Sequence, residues 1–168
     1  MKRFFGKLSI AGLAVGFLCV MGDGVFAKGP NPERPYRARS QETQTLNLCE
    51  AGDELIGQEF AGMGNATHAG LTSTLGCVVF TGDPNLPPYV LNFEGQGSGT
   101  AANGDATYFD IVDGVSHLFP PPCVATYSIV FTGGTGRFEE ASGSADCTSI
   151  RANCGLDQTT TCVGTISY

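Results

Sequence analysis

The chain has 168 residues, 42% hydrophobic and 15% charged, with 24 glycines, no tryptophan and a net charge of −7. That length suits one domain, and a glycine-rich, charge-poor composition with many Thr, Ser and Val residues favours short strands and tight turns over helices. From Glu50 onward 13 acidic residues stand against two basic ones, Arg137 and Arg151, a net of −11; this argues against nucleic acid as a partner, because phosphate contacts need a basic surface.

Residues 1–27 have the three parts of a secretory signal peptide: Lys2, Arg3 and Lys7, an apolar run from Leu8 to Met21, then Val25-Phe26-Ala27. An apolar run of about 14 residues is short for spanning a bilayer. Leu18 stands where a lipoprotein signal wants a small residue before Cys19. The expectation is therefore a secreted or periplasmic protein with no stable membrane anchor after cleavage. Residues 28–49 read as a flexible arm, with three prolines, the basic residues Lys28, Arg34, Arg37 and Arg39, and little that is apolar. Docking of those cations on an acidic surface or anionic lipid is the alternative to a solvated linker.

The folded domain is expected over residues 50–168. Its first strand is read at Glu54 to Ala61, with Ile56 and Phe60 facing the core. Gly62 to Asn65 reads as a turn, because the Gly62-Met63-Gly64 start of a dinucleotide fingerprint lacks its third glycine and its helix. Ala66 to Phe80 reads as one bent strand or two, with Gly70 and Gly76 as bulge or bend positions. After the crossing Gly82 to Pro88, Tyr89 to Thr100 and Ala106 to Val112 form a hairpin about Asn103-Gly104, a pair suited to a type I′ turn. Ideal pairing there would oppose Glu94 to Asp113, two like charges.

Asp113-Gly114 marks another turn, and Leu118 to Cys123 is a crossing, since its prolines lack ladder donors. Tyr127, Ile129 and Phe131 then line one face, with Ser128 and Val130 on the other. Gly133 to Gly136 reverses the chain, and Phe138 folds back as a plug. Strands at Ser142 to Arg151 and Thr159 to Tyr168 bring the count to about eight. An antiparallel closed β-barrel accommodates them without leaving edges; a β-sandwich is the alternative.

Without Cys19 six cysteines remain: Cys49, Cys77, Cys123, Cys147, Cys154 and Cys162. In an exported chain they imply three disulfides, and their spacing lacks the close pairs of a zinc site. A hairpin centred between Cys154 and Gly155 would set Cys147 opposite Cys162, within disulfide reach; the remaining connectivity is open.

The stretch Gly133-Gly134-Thr135-Gly136-Arg137-Phe138-Glu139-Glu140-Ala141-Ser142-Gly143 resembles the GGTG-x-F-x-x-A-x-G motif of dirigent proteins and the related stretch of allene oxide cyclases. Asn65 to Gly70, Thr100 to Asp105 and the ending Gly164-Thr165-Ile166-Ser167-Tyr168 also resemble uncharacterised secreted bacterial members of that superfamily. The likeness spans roughly Glu54 to Tyr168 and implies an eight-stranded calycin-like barrel. The plant families steer a reactive intermediate with pocket-lining acids, but the shared motif is a turn and transfers no catalytic residue. Their trimers make a homo-oligomer worth testing.

For chemistry, His68 is a candidate general base with Glu59, Glu94 or Asp110 as partner by residue type, and His117 is a weaker one. No third ligand joins the two histidines in a metal site. Ser98 lacks the G-x-S-x-G spacing, and no phosphate loop is present. Asp110 and Asp113 would suit Ca²⁺ but read as solvated turn acids. Asn65-Ala66-Thr67 matches a glycosylation acceptor. Arg137 is a candidate clamp for an anionic ligand, against a surface pair with Glu139 or Glu140. No cofactor is implied. The favoured reading is a non-catalytic barrel holding a small apolar ligand or serving an envelope or extracellular structural role. The alternative is a metal-independent cyclase or isomerase with Glu59, Glu94 or Asp110 facing a cavity.

Overall fold

The computed structural model describes residues 31–50, 56–83, 85 and 87–168. The expected signal peptide, Lys28 and the Glu54-Leu55 start of the expected first strand lie outside them. Eight antiparallel strands follow one another round a closed barrel: β1 (Arg34–Glu50), β2 (Ile56–Ala66), β3 (Gly70–Thr81), β4 (Val90–Ala101), β5 (Ala106–His117), β6 (Cys123–Gly134), β7 (Ser142–Arg151) and β8 (Asp157–Ser167). Each strand pairs with the next, and β1 pairs with β8 to close the cylinder. This is the closed barrel and not the sandwich.

The segment read as a flexible arm is corrected: from Arg34 it is β1, hydrogen-bonded to β2 on one side and β8 on the other. Its prolines and arginines disguised a period of two. Pro35, Arg37, Arg39, Gln41 and Thr43 are exposed, while Tyr36, Ala38 and Ser40 are half-buried and Glu42 and Gln44 buried. An edge-free barrel needs that strand, so the domain begins before residue 50. Two expected turns also prove to be strand. Residues 62–65 continue β2, where side chains on Gly62 and Gly64 would collide with Glu42 and Ser40 across the ladder. Asp113-Gly114 is a bulge within β5, with Asp113 at φ +54°.

That bulge also removes the like-charge opposition. The pairing shifts between Phe93 and Gly95, so Glu94 has no directly opposed Asp113. The connection at Asn103-Gly104 spans residues 102–105, and only Gly104, at φ +90°, takes the left-handed conformation there. A type I′ turn needs both central residues in it, so that assignment is corrected as well.

The interior is filled by pairing large against absent side chains. Tyr36, Phe60, Phe93, Phe109 and Phe131 stand directly opposite Gly164, Gly76, Gly114, Gly97 and Gly143 on the neighbouring strands. A Cβ on Gly97 would lie 2.7 Å from two Phe109 ring atoms. Five rings thus fit within an eight-stranded cylinder, whose bore is just wide enough for side chains or one small ligand. Phe138, on a short 3₁₀ turn (Gly136–Phe138), is 2% exposed and plugs one end. Tyr127, Ile129 and Phe131 face inward with it.

Three disulfides lock the wall. Cys147 and Cys162 join cross-strand partners of β7 and β8, with Cα atoms 4.1 Å apart. Cys123 at the start of β6 is tied to Cys154 in the β7–β8 turn. Cys49 reaches from β1 to Cys77 on β3, passing Gly57 of the intervening strand, which has no Cβ to obstruct it.

Candidate functional site

Part of the lower barrel interior is polar, set against an apolar wall, which a purely apolar core would not require. Alternation within β1, β7 and β8 carries the inward positions from apolar residues to Glu42, Gln44, Ser149, Arg151, Gln158 and Thr160. Glu42 is 5% exposed and accepts hydrogen bonds from Ser40 Oγ (2.6 Å), Thr160 Oγ1 (2.8 Å) and Gln158 Nε2 (3.0 Å). With Thr160 donating to Glu42, Ser149 donates to Thr160 at 2.6 Å, and the Tyr127 hydroxyl lies 3.5 Å from Ser149 Oγ, placed to donate to it. Tyr127 and Glu42 are thereby the two ends of one hydrogen-bonded chain.

Arg151 is buried as well, at 7% exposed. Its Nη atoms donate to Ser116 Oγ (2.8 Å) and Gln44 Oε1 (3.3 Å), and its Nε has no partner among the described residues. Burial lowers the guanidinium pKa, because the cation has left water. Burial, reinforced by the Glu42 charge, raises the hydroxyls of Tyr36 and Tyr127 to about 12.

Two chambers remain between these groups. The upper, about 50 Å³, is walled by residues such as Tyr36, Phe109, Ile129, Phe138 and Ile166; the lower, about 30 Å³, by Val78, Phe93, Ile111 and Arg151. Glu42, Phe60 and Tyr127 line both and form the waist between them. Chambers of this size hold a few waters, against the roughly 300 Å³ of a drug-sized site.

The residues singled out from sequence lie elsewhere. Glu94 and Asp110 are exposed on the outer wall. Glu59, also outward, accepts from Asn47 Nδ2 at 3.1 Å and Thr45 Oγ1 at 3.5 Å. None of the three faces the interior, because each falls on the opposite phase of its strand from Phe60, Phe93 or Ile111. Alternation places them on the solvent side. His68 is exposed in the β2–β3 turn at φ +68°, its Nε2 3.0 Å from the Pro35 carbonyl oxygen and its ring beside Tyr168. His117 is exposed at the end of β5. Arg137 pairs with Asp105 (Nε to Oδ2 3.4 Å), and its guanidinium stacks on Phe138. Sequence reasoning missed Glu42, Gln44, Ser116 and Arg151; the signal was a polar residue at each inward position of a strand whose other inward positions are apolar.

No protein-family model matches the chain, and no curated protein matches it. Among solved structures, the pterocarpan synthase dirigent protein GePTS1 is similar, with 12% sequence identity and a TM-score of 0.48 over 81% of this chain and 86% of that one. The candidate site therefore rests on this chain's own residues.

Proposed function

We propose that the protein is an exported, disulfide-locked barrel that binds a small amphipathic molecule in its interior without turning it over. The observation that carries this reading is the convergence of Glu42, Arg151 and the Tyr127, Ser149 and Thr160 hydroxyls on two interior chambers. Buried polar groups cost stability relative to well-packed apolar side chains, and convergent polar groups in an apolar cavity are the usual mark of a binding site. Export is supported by the leader-like residues 1–27 and by three disulfides, which persist in oxidising compartments. The chambers as they stand select for small ligands, and rotation of Phe60 and Tyr127 at the waist would join them.

Native mass spectrometry of the protein purified from its own compartment tests the reading. A retained small molecule, lost when the protein is unfolded, is the expected result; only bare protein, with no ligand taken up from extracts, would refute it. A second reading, a metal-independent cyclase or isomerase, is favoured by the GGTG-containing stretch and by a buried acid, which is Glu42 and none of the three outer-wall acids. Turnover abolished by Glu42→Gln with binding intact would decide for it.

A further inference from the structure

Among the described residues, Arg151 Nε is the buried side-chain donor without a hydrogen-bond partner, and it points to the chemistry of the ligand's head group. Ser116 and Gln44 hold the Arg151 guanidinium from its Nη side, while Nε, with no partner, belongs to the residue that lines the lower chamber. Buried polar hydrogens are almost always met by protein, water or ligand, and a buried cation calls for an anion. Among the described residues no carboxylate forms an ion pair with Arg151; Glu42 lines the same chamber but is engaged by Ser40, Gln158 and Thr160. The remaining wall is mostly apolar, with Val78, Phe93 and Ile111 among it and Ser149 and Tyr127 adding hydroxyls but no charge.

We infer that the lower chamber is the head-group subsite for a short-chain carboxylate, one oxygen accepting from Arg151 Nε and the chain rising past Phe60 and Tyr127 into the upper chamber. This rests on the interior-binding reading. Charge-assisted bonds to guanidinium are stronger than neutral ones, so a carboxylate is preferred to a ketone of the same length. Glu42 works against it: a like charge on the chamber wall weakens binding of any anion.

Butanoate and butanone are the probes, followed by calorimetric titration and thermal shift on the full mature chain at constant ionic strength. Butanoate should bind and butanone bind at least about tenfold more weakly. Arg151→Met should abolish butanoate binding. Arg151→Lys, which keeps the charge but has no Nε–H, should weaken it roughly tenfold and covers the case in which the methionine variant does not fold. Glu42→Gln should strengthen butanoate binding, again by about tenfold, and so widen its preference over butanone. Equal affinity for the two probes, unaltered binding by Arg151→Lys, loss of binding in Glu42→Gln, or no binding of butanoate at all would each overturn the inference. A ligand retained in native mass spectrometry alongside any of these would leave interior binding standing with a different head group.

Discussion

Replacing Gly76 by alanine tests whether the inward glycines exist to make room for rings. A Cβ there would overlap Cζ and Cε1 of Phe60 and lie 2.6 Å from the Gln96 carbonyl oxygen. Ordinary carbon contacts begin near 3.5 Å, so the ring must move by about 1 Å. Phe60 is 6% exposed, and the chambers it borders offer only about 50 and 30 Å³. The Gln96 carbonyl belongs to a backbone paired on both sides and yields less than the ring. Overpacking of this kind costs about 1–3 kcal/mol, and two simultaneous contacts place Gly76→Ala near 2–3 kcal/mol, or roughly 6–10 °C in Tm.

The decisive measurement is a double-mutant cycle with Phe60→Leu, followed by guanidinium unfolding with the disulfides intact. The leucine removes the ring contact but not the carbonyl contact, so the double variant should recover about 1–2 kcal/mol relative to additivity. If Gly76 instead served as a bend in β3, alanine would cost the same with or without the ring. Additive losses, or a neutral Gly76→Ala, would refute the ring-packing argument.

Removing single disulfides by paired Cys→Ala changes should cost about 3 kcal/mol for Cys147–Cys162, with a sequence separation of 15, and about 3.6 kcal/mol for the two longer loops, separations 28 and 31; equilibrium unfolding of the three variants gives the ranking. The Tyr36 and Tyr127 hydroxyls ionise near 10 when unfolded and near 12 when folded, so the unfolded state holds fewer protons in that window. Their contribution to stability is complete below pH 10 and is lost as pH rises toward 12, roughly 2 kcal/mol for each group; tyrosinate absorbance in which all five tyrosines titrate together near pH 10 in folded protein would contradict this. Glu42→Ala, which strands the donors of Ser40, Gln158 and Thr160, should cost about 1–3 kcal/mol in the same unfolding assay. A chain truncated to residues 50–168 should fail to give a cooperative unfolding transition, because both neighbours of β1 become open edges.

Where one face of a strand is apolar, its place could be read directly. Ser142 to Arg151 coincides with β7, the inward set Tyr127, Ile129 and Phe131 stands as its alternation suggests, and Phe138 fills the end of the barrel. The centre of the β7–β8 hairpin placed Cys147 opposite Cys162. β1 escaped because its inward residues grade from Tyr36 to Glu42 and Gln44, so apolarity no longer marks the inner face. The same inversion hid the candidate site: Glu59, Glu94 and Asp110, candidates by residue type, each adjoin an inward apolar residue and so face outward, whereas the inward acid Glu42 sits among Ser, Gln and Thr. Glycines misled in a related way. Gly62, Gly64 and Gly76 suggested turns and bends, yet each lies in a regular ladder beneath a neighbour's side chain. A turn and a vacancy look alike until the facing residue is known.

The closure between the two end strands has a consequence for how the molecule is made. Arg34 and Tyr168, bonded through guanidinium and phenol, are 134 residues apart in the chain. Six strands can zip to their successors as synthesis proceeds, but the earliest one keeps a raw flank until the last has emerged. Such distant partners meet slowly, and an incomplete cylinder offers two sticky seams to its neighbours meanwhile. Arg37 and Arg39, exposed on the waiting strand, put like charges along that seam and discourage two nascent copies from stitching together.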